Sequence, residues 1–103
     1  MSAMMVVHME ILDSSWIPAY FAEVPKILAD YGAVSIAGAL EVKSLEGDTP
    51  PPGRIAVLSF PSLEAIDRFM ADERYQVFKH AREEGSKTNI FVFDNMVKQG
   101  ELI

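Results

Sequence analysis

The chain has 103 residues, half of them apolar, and fifteen acidic against nine basic side chains give a formal charge of −6. That length suits one domain across residues 1–103, and the acidic balance excludes the basic stripe that a nucleic-acid partner needs. Cysteine is absent, which removes disulfide frameworks and thiolate chemistry and fits a reducing, cytoplasmic setting.

No apolar run approaches the roughly 20 residues of a membrane span, so no membrane partner is expected. The stretch Met1 to Met9 lacks a basic opening, and His8 and Glu10 interrupt its hydrophobicity, so it does not read as a signal peptide. A compact monomer of this size buries roughly 65% of the surface of its unfolded chain, adequate but not generous. A partner subunit would add to that.

Met4 to Ile11 reads as a first strand, with Met5, Val7, Met9 and Ile11 on one face and Val6, His8 and Glu10 on the other. Asp13, Ser14 and Ser15 then offer helix-capping side chains. The apolar residues Trp16, Tyr20, Val24, Ile27, Leu28 and Tyr31 follow at spacings of three and four. Pro18 suits the first turn of that helix, Pro25 is expected to bend or split it, and Gly32 to end it in a left-handed cap.

A second strand is expected within Ala33 to Lys43, with Gly38 as its bulge. Glu46-Gly47-Asp48 and three successive prolines make an exposed connection to a third strand, Arg54 to Phe60. Ser62 is the expected N-cap of the next helix, whose inner stripe is Leu63, Ile66, Phe69 and Met70. After a break near Asp72 and Glu73 a further helical segment carries Tyr75, Phe78 and Ala81 up to Gly85, and Ile90 to Phe93 forms the last strand.

Strand, helix, strand, strand, helix, strand is the split βαβ order of the α+β ferredoxin-like fold, a four-stranded antiparallel sheet with its helices on one face. The first and last strands are apolar on both faces, where a half-solvated sheet would alternate. A second copy covering the free face is the simplest explanation, so a homodimer is expected. The apolar tail Met96 to Ile103 is expected to pack across that dimer.

Leu45-Glu46-Gly47, Pro52-Gly53-Arg54, Phe60-Pro61-Ser62-Leu63, Tyr75-Gln76 and Arg82 resemble the domain of unknown function 1330 family over roughly Ile11 to Asp94. The resemblance implies a dimeric α/β barrel with a pocket between each sheet and its helices. Where relatives usually carry Arg-Gly-Gly in the second strand this chain has Gly38, Ala39 and Leu40, and the acid before their Phe-Pro-Ser segment is replaced by Ser59.

Several residues have the chemistry for a site. His8 and Glu10 share a strand face, but the zinc deaminases that use His-x-Glu also need cysteines, and two histidines without metal-ligand spacing make no metal centre. His8 is the candidate catalytic proton carrier, against the alternative of a histidine satisfied by a neighbouring carbonyl or carboxylate. Arg54 and Arg82 are candidates for binding an anionic oxygen, against tethers to Glu46, Asp48 or Glu84.

Tyr20 is a further ligand-binding candidate, since it and Tyr75 lie on inner stripes that place a ring in the core and a hydroxyl at the rim. No nucleotide, dinucleotide or hydrolase motif occurs. The function expected is therefore an enzyme or binder that needs no metal or organic cofactor, acting on an apolar, oxygenated small molecule. The rival is a non-catalytic dimeric interaction protein.

Overall fold

Alternation along β1 (Ala3–Ile11) decides the architecture, because it turns Ala3 and Met5 into a core at 0% and 3% exposure and leaves Val6 and His8 half-buried on the other side. The computed structural model describes residues 2–96. After β1 come α1 (Ile17–Asp30), β2 (Val34–Ala39), β3 (Arg54–Phe60), α2 (Leu63–Ala71), α3 (Glu73–Gly85) and β4 (Ser86–Asp94). The sheet order is β2-β3-β1-β4, and all neighbours are antiparallel. This is the α+β ferredoxin-like βαββαβ arrangement, its second crossover built from two helices.

The helices cover one sheet face. Val24 and Ile27 of α1, Ile66 and Phe69 of α2 and Tyr75 of α3 join Ala3, Met5 and Phe60 in one core. Burying each large apolar side chain contributes about 1.5–3 kcal/mol. The Phe69 ring lies 4.3 Å from Tyr75 and 5.9 Å from Phe60, so this aromatic cluster ties both crossover helices to β3. No helix among the described residues is long and apolar enough to cross a membrane.

Helix ends follow local chemistry, with two corrections. Ser62 caps α2 by accepting the Ala65 N–H at 3.1 Å, and α1 closes with Gly32 N–H on Ala29 C=O and Ala33 N–H on Leu28 C=O. Gly32 has the positive φ, 75°, that this closure requires. Asp13 does not cap α1. Its carboxylate accepts the N–H and O–H of Ser15 instead, and the N-cap position is Trp16 without a side-chain cap. Nor does Pro25 split α1. It removes only the bond to the Phe21 carbonyl, on an exposed face where solvent can replace it.

Strand boundaries also shift. β2 stops at Ala39, because its pairing ends at Ile55 and the prolines preceding Gly53 offer no N–H to extend the ladder. The irregularity in β2 falls between Ser35 and Ala37, not at Gly38, which pairs regularly with Ala56. β4 begins at Ser86, four residues before the expected Ile90, because Met9, Glu10 and Ile11 pair with its polar opening. The expected packing of residues 96–103 lies, beyond the exposed Met96, outside the described residues.

Asp72 joins α2 to α3, ending one and capping the other. Its carboxylate accepts the Arg74 backbone N–H at 2.8 Å, the Arg74 guanidinium at 2.9 Å and the Tyr31 hydroxyl at 2.6 Å. The Arg74 side chain above all, and then Tyr31, hold its pKa well below the ordinary aspartate value. A depressed folded-state pKa adds stability above the unfolded-state value of about 3.9, and that stability is lost as the pH falls further. Asp72→Asn, which keeps a capping side chain, should therefore lower Tm at neutral pH and flatten the acid limb of the stability curve. Thermal unfolding across pH measures both, and an unchanged acid limb would contradict the assignment.

Candidate functional site

The helix-facing side of the sheet is not filled everywhere. Where α1 lifts away from β2 and β3, a cleft of about 410 Å³ opens between Phe21 and the strand residues Val7, Met9, Gly38, Arg54 and Ala56, with Leu40 at its edge. Its walls are almost wholly apolar. Arg54 lies on this side because it pairs with Met9, and it is half-buried. Deeper between sheet and helices is a chamber of about 60 Å³ whose walls include Tyr20, Tyr75, Arg82 and Ile90. Val7 and Met9 belong to both walls, so cleft and chamber adjoin.

Three polar side chains converge at the chamber. Tyr20 comes from α1, while Tyr75 and Arg82 come from α3, seven residues and two turns apart on one helix face. The hydroxyls of Tyr20 and Tyr75 are 3.4 Å apart, and Arg82 Nη2 donates to the Tyr75 hydroxyl at 3.3 Å. Arg82 is only 4% exposed. No ion pair among the described residues involves it, and its buried Nε has no hydrogen-bond partner there. On its other side it borders a polar groove between α3 and β4, lined by Lys79, Glu83 and Lys87.

The end of α3 is anchored so that Arg82 keeps its place. The Gly85 carbonyl accepts from the Trp16 indole at 3.3 Å and from the backbone N–H of Leu12 and Asp13. Trp16 packs so closely on Gly85 that a Cβ there would collide with the indole ring. Ser86 Oγ donates to the Arg82 carbonyl at 2.6 Å. Burial, and then the neighbouring Tyr75, push the Tyr20 hydroxyl pKa far above its ordinary value. At neutral pH Tyr20 is therefore a hydrogen-bond donor and not a base.

Of the four residues singled out from the sequence, Tyr20 and Arg82 meet at the chamber and Arg54 lines the adjoining cleft. Neither arginine is tethered to an acid among the described residues. His8 lies apart. Strand alternation puts it on the opposite face from Val7 and Met9, edge-on to the Phe91 ring at 5.6 Å, and bordering a cleft with Pro50, Pro51, Pro52, Lys87 and Asn89. His8 and the two arginines thus line different clefts. The joining of Tyr75 to Arg82 was not anticipated, although their spacing of seven in one helical segment carries the signal.

Solved structures share this architecture. The RPA0582 protein of unknown function from Rhodopseudomonas palustris superposes with a TM-score of 0.78 at 11% identity, covering 94% of this chain and 84% of its own. SnoaB, a cofactor-independent oxygenase from Streptomyces nogalater, gives 0.66 at 12% identity, covering 97% and 98%. An antibiotic biosynthesis monooxygenase gives 0.57 at 16%, covering 94% and 100%. At these identities the likeness establishes the fold and not the activity. No curated protein matches the sequence. The family model of the domain of unknown function DUF1330 matches residues 2–96, nearly the whole chain, and the protein therefore belongs to the DUF1330 family.

Proposed function

We propose that this protein is a small-molecule enzyme or binder that works without a metal or organic cofactor on an apolar, oxygenated metabolite, and that it does so as a cytoplasmic homodimer. The observation that carries the reading is Arg82, a buried guanidinium without a carboxylate partner among the described residues, at the inner end of an apolar cleft. Buried charges are ordinarily paired, since desolvating one costs several kcal/mol. A ligand oxygen is the partner this arrangement suits.

In this reading the apolar body of the ligand lies against Phe21, Val7 and Met9 while Arg82 and the tyrosine hydroxyls hold its oxygen. Arg54 provides a second cationic contact in the cleft. The fold shared with a cofactor-independent oxygenase supports chemistry of this kind in such a scaffold. His8 has no part at the chamber. It sits on the face that a second copy would cover, where its contact with Phe91 serves packing.

A thermal-shift screen of apolar carboxylic acids, phenols and ketones tests the proposal. A ligand at a hundred times its Kd should stabilise the protein by about 2.7 kcal/mol. Absence of any shift across the series at millimolar concentration would overturn it. Turnover of a stabilising compound would separate an enzyme from a non-catalytic binder.

A further inference from the structure

Among the described residues the chamber has donors in excess and no base. In the chain of contacts from Arg82 to Tyr75 to Tyr20, Tyr75 accepts from the guanidinium and the two hydroxyls share one hydrogen between them. One hydroxyl hydrogen and Arg82 Nε–H remain without an acceptor among the described residues. None of the residues lining the chamber or the cleft is Asp, Glu, His or Lys. None of these described side chains can take a proton at neutral pH, because tyrosine hydroxyls already hold theirs there, Tyr20 all the more so for its raised pKa, and arginine does not deprotonate in proteins.

We infer that the ligand enters this site as a preformed anion, a carboxylate or an acidic enol or phenol already ionised in solution, carried on an apolar ring system, and that the protein does not deprotonate it. The inference rests on the pocket reading above and sharpens it. A neutral ketone or amide would accept hydrogen bonds but leave the guanidinium charge uncompensated in a desolvated space, whereas an anion satisfies both. The dimensions agree. The chamber is the smaller of the two spaces and holds the three polar side chains, which suits the anionic group, and the larger apolar cleft beside it takes the ring.

Paired ligands of one shape test this. Calorimetric titration with 2-naphthoate and 2-naphthamide at neutral pH should show the acid binding at least tenfold more tightly, with a preference that collapses in Arg82→Met. 4-Nitrophenol adds a direct readout, since its ionised form absorbs in the visible. Added protein should raise the visible band at a pH where the free phenol is mostly neutral, the anion being selected from solution.

Equal or tighter binding of the amide, or a nitrophenol that binds with loss of the visible band, would overturn the anion inference and leave the pocket standing. Failure of every one of these compounds to bind would remove the pocket reading as well. A preference for the acid that survives in Arg82→Met but disappears in Arg54→Met would place the anion at the cleft wall and overturn the assignment to the chamber.

Discussion

Replacing Arg82 with methionine is expected to abolish stabilisation by an anionic ligand while leaving the ligand-free protein at least as stable as the wild type. Methionine keeps an apolar stem at this position and removes a charge that is 4% exposed and forms no ion pair among the described residues. The folded state then no longer carries an uncompensated desolvation cost, and Tyr75 keeps its contact with Tyr20. Binding loses one or two hydrogen bonds to a charged donor, each about 1.5–3 kcal/mol, or roughly ten- to a hundredfold in Kd.

Thermal unfolding and calorimetry measure the two effects separately. Arg82→Lys distinguishes the alternatives, because a point charge on a flexible stem restores some anion affinity but not the fixed fork. If Arg82 is structural, the methionine variant will lose several degrees of Tm, and ligand affinity will fall no further than in other destabilised variants.

Substitution of Val6 by aspartate should convert a dimer into a folded monomer. Val6 lies at the middle of β1 on the face without helices, paired with Val57 on one side and Phe91 on the other. The same face carries Val34 at 58% exposure, Phe91 at 57% and Phe93 at 49%, an apolar surface across all four strands. A two-fold arrangement sets this face against itself, so one substitution buries two unpaired carboxylates at several kcal/mol each. That weakens association by more than about a thousandfold.

Light scattering at micromolar concentration should give twice the chain mass for the wild type and the chain mass for the variant, with circular dichroism unchanged. A monomeric wild type, or a variant that remains dimeric, would refute dimerisation through this face. Phe91 pairs directly with Val6 and also touches His8, so a loss of secondary structure in the variant would show that the face is needed for folding of the chain itself.

Much of the fold was legible because its signals are local. Alternation in Met5, Val7 and Met9 and the three- and four-residue spacing from Trp16 to Tyr31 depend only on strand and helix geometry. Ser62 as a cap and Gly32 as a left-handed closure depend only on the backbone groups beside them. The errors arose where a distant partner decided. Ser86 to Asn89 are polar and read as a loop, yet β1 draws them into the sheet. Leu40 to Lys43 read as strand, yet past Ile55 only Arg54 of β3 remains, ahead of Gly53 and the prolines.

The candidate site divides in the same way. The residue types that matter, Tyr20, Arg54 and Arg82, were recognisable from chemistry, and the spacing of Tyr75 and Arg82 placed both on one side of α3. Their convergence with α1 was not recognisable, because the 55 residues between Tyr20 and Tyr75 are spanned only by packing both helices on the same sheet face. The separation of His8 from the arginines has the same origin. Sequence alone determined that His8 and Val7 point to opposite sides of a strand, since alternation is a property of the extended backbone. Only the tertiary structure decided which side the helices would cover, because that depends on the handedness of two crossovers and on the apolar surface each helix must bury.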